Sequence, residues 1–197
     1  MNLRSRLELL RRRPAVAAAG DAAGEGGFTL IELMVVLLIM GILMAIAIPT
    51  FLGVTGNAKD KGAQSDLTNA MLTAKTYYED NQSYAGISTS YLHSAEPEIA
   101  FVAAGTSASS GNSTVMLAAP AGNAVLLTSW SPTGVCWGIV DNESGNATTT
   151  FTGGTIAGVS SGENYGMIVE ANSSLCTVAN MVSATWKASW PPAPGGK

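Results

Sequence analysis

From Leu33 to Ile48 every residue is apolar or glycine, and the longer stretch from Phe28 to Ile48 is interrupted only by Thr29, Glu32 and Gly41. A helix of about 20 residues spans a hydrocarbon core of roughly 30 Å, so this run is long enough to cross a bilayer. It is apolar on every side, which leaves it lipid or other apolar helices as surroundings. Arg4, Arg6, Arg11, Arg12 and Arg13 precede the run and no arginine lies within it. By the positive-inside rule the leading segment is then cytoplasmic and the rest of the chain lies outside. An ordinary secretory signal has about 7–15 apolar residues followed by a small-residue cleavage site. Here the run is longer, Pro49-Thr50-Phe51 follows it, and the small-residue run Ala15–Ala19 stands on the wrong side. A plain single-span anchor remains an alternative at this level.

Charged residues make up 12% of the chain and are unevenly divided. Before Phe28 there are five arginines against three carboxylates; from Phe28 onward there are five lysines against eleven. An acidic body without a basic stripe lacks the phosphate neutralisation that general nucleic-acid binding requires, so no specific nucleic acid is predicted as a partner. Cys136, Cys176 and His93 fall short of the roughly four ligands of a structural zinc site. A Ser-His-Asp or Cys-His arrangement would have to use His93, which reads instead as an exposed loop histidine with no nucleophile motif around it. Neither a GxxxxGK[ST] loop nor a helix-opening GxGxxG occurs. No catalytic residue, metal site or cofactor is predicted, and a membrane-anchored enzyme is the least favoured class.

The most specific signal is Gly26-Gly27-Phe28-Thr29-Leu30-Ile31-Glu32-Leu33, continued by the apolar run to Pro49. This segment resembles the signal and first half-helix of type IV pilins and pseudopilins. The resemblance implies that a prepilin peptidase cuts between Gly27 and Phe28 and methylates the new amine of Phe28. It also implies an assembly ATPase and a platform protein as partners. A carboxylate at mid-membrane costs on the order of 2.5–3.5 kcal/mol and is usually functional. Glu32, four residues from the new end, is expected to pair with the amine of Phe28 on a neighbouring subunit. An unpaired charge in a filament core would be strongly unfavourable, so the pair would set axial register.

Pro49 removes one helical hydrogen bond and is expected to kink the helix. Gly53, Gly56 and Gly62 weaken the following turns by up to about 1 kcal/mol each relative to Ala, and a flexible loop over 50–62 is a competing reading. Periodicity returns with Leu67, Met71, Ala74 and Tyr78, flanked by Ala63, Ala70 and Tyr77. Asp66, Thr68, Asn69, Thr73, Lys75 and Glu79 fill the other face, and Asn81-Gln82-Ser83 ends an amphipathic helix near Asp80. The helical spine from Phe28 would be roughly 80 Å long at 1.5 Å per residue. Beyond Gly86 short β-like runs follow: Glu98–Ala103, Ser113–Ala118, Ala124–Trp130, Gly134–Asp141, Thr148–Thr152 and Tyr165–Glu170. Turn-forming clusters, among them Ser107–Asn112 and Gly153-Gly154, separate them. The predicted class is α+β, with a long N-terminal helical spine packed on a C-terminal antiparallel sheet, a pilin-like architecture. Expected segments are a removed leader at 1–27, a transmembrane and filament-core helix at 28–48, a kinked then amphipathic helix at 49–82, and a β-rich head at 83–197.

With this topology Cys136 and Cys176 lie in an oxidising setting, where a disulfide is the default. A loop of about 40 residues would gain roughly 4 kcal/mol in the chain-entropy model, and the resemblance agrees, since pilins often carry a comparable bridge near the C-terminus. Trp186 and Trp190, beside Pro191-Pro192, are read as packing against the body rather than as an adhesive surface. Asp141, Asn142 and Glu143 look like a fragment of an oxygen-ligand loop, but the EF-hand pattern fails. N-x-S/T triplets beginning at Asn81, Asn112, Asn142, Asn146 and Asn172 carry little information. The leading function is a structural subunit of an extracellular type IV pilus-like filament, assembled as a homo-oligomer from the cytoplasmic membrane. The alternatives are a pseudopilin of a type II secretion system, or a minor or DNA-binding pilin.

Overall fold

A computed structural model describes residues 27–105, 113–118, 122–151 and 153–194. The leader before Gly27, the turn cluster Ser107–Asn112 and Thr152 lie outside the described residues. The chain divides into two units, Met1–Ile46 and Ala47–Lys197.

Helix α1 runs Leu30–Asn81 with Pro49 inside it, and no loop interrupts residues 50–62. In the first unit the helix starts at Leu30, just after Thr29, and continues through the apolar run, where all large side chains are exposed. In the second unit the helix is amphipathic. Asp60, Ala63, Gln64, Leu67, Ala70, Met71, Thr73 and Ala74 are buried, and Leu67 is 0% exposed. Their spacing of three and four residues forms one stripe against the sheet. One expectation shifts here: Thr73, assigned to the polar face, is buried, whereas Tyr77 and Tyr78 are half-buried against the core, on the apolar side where the periodicity places them. Gln82, with φ +51°, terminates the helix in the left-handed region.

Among the described residues seven strands follow: β1 Ala100–Ala103, β2 Thr114–Ala118, β3 Ala124–Ser131, β4 Val135–Asn142, β5 Thr148–Phe151, β6 Gly154–Ala157 and β7 Gly162–Val169. The main sheet has the order β1-β2-β3-β4-β7, and β5–β6 form a separate hairpin inserted between β4 and β7. The sheet is mostly antiparallel, but β1 and β2 run parallel, with Ala100 opposite Thr114. The expected antiparallel sheet is thus mostly antiparallel, with β1 beside β2 as the exception, since strand composition alone does not say which way a strand runs.

The sheet is covered on both faces, so β3 and β4 are buried along nearly their whole length rather than at alternate positions. One face carries Val115, Leu117, Val125, Leu127, Trp137 and Ile139 and packs with the α1 stripe, Tyr84 and Leu92. The other carries Met116, Leu126, Cys136 and Val140 and packs with Phe151, Ile156, Val178, Met181 and Trp186. Cys176 reaches this second layer through a disulfide to Cys136, with Cα atoms 5.3 Å apart. Trp186 lies over Gly138 and Gly166, which face each other across β4 and β7. A Cβ on Gly166 would stand 2.9 Å from the indole, so the ring seats only where both strands lack side chains. Trp186 and Trp190 thus pack against the body as expected. Three short helical elements escaped the sequence reading: α2 Thr89–Ala95, a 3₁₀ turn Ser173–Leu175 and α3 Val178–Met181. His93 therefore sits in a helix rather than a loop; it is exposed, and its Nδ1 lies 3.0 Å from the Ile99 carbonyl.

Candidate functional site

The stem presents what the sequence singled out. Phe28 is 89% exposed, and the large apolar side chains from Leu30 to Ile46 are between 48% and 76% exposed. By length and composition α1 can cross a membrane. Glu32 is the only charge in this stretch, and the structure shows what holds it. Its Oε2 accepts from the Thr29 backbone N–H at 2.8 Å and from Thr29 Oγ1 at 2.9 Å, while the Glu32 N–H donates to Thr29 Oγ1 at 3.2 Å. This is a reciprocal capping box, in which Thr29 and Glu32 satisfy amide donors that the first helical turn leaves free. The pattern Thr29-Leu30-Ile31-Glu32 carries the signal for it, since a Thr followed three residues later by Glu marks a helix start. The box fixes the Glu32 carboxylate at the outset of α1 and leaves it further lone pairs for another donor.

Two polar ties in the second unit were not foreseen. At one, the Asp60 carboxylate is buried; its Oδ1 accepts from Thr133 Oγ1 at 2.5 Å and faces Trp137 Nε1 at 3.4 Å. At the other, Lys75 Nζ lies 2.8 Å from Glu163 Oε1 and 3.6 Å from Asp141 Oδ1. Asp141 is fully buried, and Tyr84 donates its hydroxyl to Asp141 Oδ2 at 2.5 Å. Tyr165 donates likewise to Glu163 Oε2 at 2.5 Å. These contacts fasten α1 to β4 and β7 at points fifteen residues apart, about 22 Å along the helix.

The electrostatics follow from this geometry. Burial alone would raise the Glu163 carboxyl, but hydrogen bonds from Lys75 and Tyr165 and the Lys75 charge outweigh it and hold it below the ordinary range. Burial works against the Lys75 ammonium, yet Glu163 and Asp141 together raise its pKa. Burial and the bond to Glu163 push the Tyr165 phenol up to about 12. Burial and Asp141 drive the Tyr84 phenol strongly upward. Glu143 is raised by burial and by the nearby Asp141. Asp141 thus serves a tie within the head, through Tyr84 and Lys75. Among the described residues no group of three or more His, Cys, Asp and Glu side chains is arranged to hold a metal ion.

Comparison with known proteins connects the stem to a family. The prokaryotic N-terminal methylation motif matches residues 23–48. A type IV major pilin of Myxococcus xanthus is 41% identical over 59 residues, 30% of this chain and 27% of that protein. The type IV narrow pilus major component of Thermus thermophilus is 40% identical over 90 residues, 46% of this chain and 75% of that protein. The wide pilus major component of the same organism is 35% identical over 103 residues, 50% of this chain and 76% of that protein. The match thus spans about a quarter of the first relative and three quarters of the other two. No solved structure matches the chain. A methylation motif at the start of a bare apolar helix, an α+β head on its second half, and relatives matched over most of their length agree, and the chain belongs to the type IV pilin family.

Proposed function

We propose that this chain is the structural subunit of an extracellular type IV pilus-like filament, built from many copies of itself. The observation that carries the reading is the stem: a helix whose large apolar residues from Leu30 to Ile46 are all exposed. Water does not tolerate such a surface, so it lies in lipid before assembly and against copies of itself afterwards. In the membrane the chain is single-pass with its C-terminus outside; in the filament the stems form the core and the heads the coat. The relatives, named as major components of type IV pili, support the same reading.

In this scheme a prepilin peptidase removes the leader between Gly27 and Phe28, and the new amine of Phe28 is methylated. An assembly ATPase and platform protein drive subunits out of the membrane, and Pro49 is the point where the stem bends. Glu32 then receives the amine of Phe28 from a neighbouring copy. The capping box supports this, because the carboxylate is already oriented by Thr29 and needs little further ordering to accept a third donor. The test joins electron microscopy of purified surface fibres with mass spectrometry of their main band. The first residue is expected to be Phe28, with or without a methyl group. Glu32→Ala is expected to insert and be cleaved normally while losing at least nine tenths of its fibres. Fibres from that variant at parental yield would sink the pairing.

A further inference from the structure

One face of α1 in the second unit is left unused by the head. Ser65, Thr68, Asn69, Leu72 and Thr76 are exposed along it, and Leu72 is 68% exposed. Exposed charge is confined to the ends of this segment: Lys59 and Lys61 where it starts, Glu79 and Asp80 where it stops. Asp66 and Lys75, between them, are half-buried and engaged with Ser113 and with Glu163 and Asp141. Glu79 and Asp80, in the last turn, run against the helix macrodipole, which favours bases near a C-terminus. The last turn of α1 holds no base at all. Stabilisation of the helix itself therefore does not account for the arrangement.

Among the described residues no ion pair neutralises Lys59, Lys61, Glu79 or Asp80. Around the C-terminal end of α1, Lys75 is a cation that acts on Asp141, Glu143 and Glu163, and its ammonium is already taken by Glu163 and Asp141. At the other end Lys61 Nζ donates to a neutral group, Gln64 Oε1, at 2.9 Å. The adjacent carboxylate of Asp60 is buried and turned to Thr133 and Trp137. Lys61 and Glu79 stand eighteen positions apart, which is five turns of about 3.6 residues. They consequently project from the same line of the helix, separated by about 27 Å along its axis, with Thr68 and Leu72 between them.

We propose that a second, parallel copy of this chain docks along this face, displaced by about 27 Å along α1, so that Lys61 of one copy pairs with Glu79 of the next and the exposed Leu72 of that next copy comes level with the exposed Val54 of the first. Between parallel copies, the arrangement the filament reading requires, opposite charges at opposite ends of one face make the contact heterologous. Each copy gives with one end and receives with the other, so the contact repeats without closing and generates an open array. Like charges meet in an unshifted parallel arrangement, which disfavours it. The inference rests on the filament reading and adds to it a contact made by the heads, independent of the stem pair at Glu32.

The test is a charge swap in the full chain, scored by fibre yield after confirming parental levels of cleaved subunit in the membrane. Lys61→Glu and Glu79→Lys are each expected to lower fibre yield at least tenfold, and the chain carrying both to recover more than half of it. Lys61→Cys with Glu79→Cys is expected to give, on oxidation of fibres, a ladder of linked subunits extending well past the dimer. Single variants that form fibres within twofold of the parent overturn the inference and leave the filament reading intact. So does a swapped chain no better than the worse single variant. Absence of fibres from the parent chain removes both.

Discussion

The two parts of α1 obey the same backbone rules and differ in what their side chains are given to touch. From Leu30 to Ile46 the helix shows large apolar residues in every direction and buries none of them. From Asp60 to Ala74 it buries one stripe, fastens it with Asp60 and Lys75, and turns Ser65, Thr68 and Asn69 outward. The second part is completed by its own chain, and the first is not. An apolar helix that its own fold leaves uncovered constrains its surroundings as surely as a core residue does, and under the proposed function those surroundings are lipid and other copies.

The sharpest way to break this contrast is to delete the same atoms from each part. Leu67 is fully buried in the cluster shared with Trp137, Val125 and Leu127. Leu67→Ala is expected to destabilise the head by about 2–5 kcal/mol, the usual cost of a cavity in a packed core. Leu38→Ala, in the exposed stem, is expected to leave the unfolding midpoint of the head unchanged in detergent. Denaturant unfolding followed by tryptophan fluorescence reads both. A comparable loss from Leu38→Ala would mean that the stem is a packed part of the head after all.

A smaller effect is expected at the tie to β4. Tyr84 is buried and gives its hydroxyl to the buried carboxylate of Asp141. Tyr84→Phe keeps the ring and removes the donor, leaving a charged acceptor short of one hydrogen bond. A loss of about 1.5–3 kcal/mol is expected, the range for hydrogen bonds to charged groups. Thermal unfolding of the variant checks it, and a change below a few tenths of a kcal/mol would show that Asp141 finds another donor.

What the sequence made legible follows the same division. The stem was readable because its signal is local: an unbroken apolar run, a Gly27-Phe28 junction, a lone Glu32. The strands around Val125, Trp137 and Tyr165 were placed to within a few residues because turn-forming clusters bound them. The second layer was not, because Ile156 sits in a strand of four residues beside Gly153-Gly154, and Val178 and Met181 in a helix of one turn. Elements that short have no period to detect. The Gly138–Gly166 seat for Trp186 depends on strand register, which no single strand encodes. Lys75, Asp141 and Glu163 come from three distant segments, so their convergence exists only once the sheet has formed. Thr29 is the opposite case: its capping pattern with Glu32 was on the page and yields to inspection of four consecutive residues.

The least disruptive probe of the comparison is pH, because it acts on the tie at Lys75 without touching the stem surface. Glu163 has its carboxyl held below the ordinary value in the folded head. Such a group contributes stability that is present above its unfolded pKa of about 4.3 and is lost as pH falls through the lower folded value. Lys75 has the opposite sign. Its raised pKa contributes stability below about pH 10.4 that disappears as pH climbs through the folded value. Both side chains are about one third exposed, so solvent screening keeps the contribution under about 1 kcal/mol. Glu163→Gln retains an acceptor for Lys75 and Tyr165 while removing the charge. The variant is expected to unfold slightly below the parent at pH 7, and the gap to close as pH drops beneath about 4. A gap that persists unchanged to pH 3 would mean that Glu163 holds Lys75 by shape and hydrogen bonding, with its charge contributing nothing to the tie.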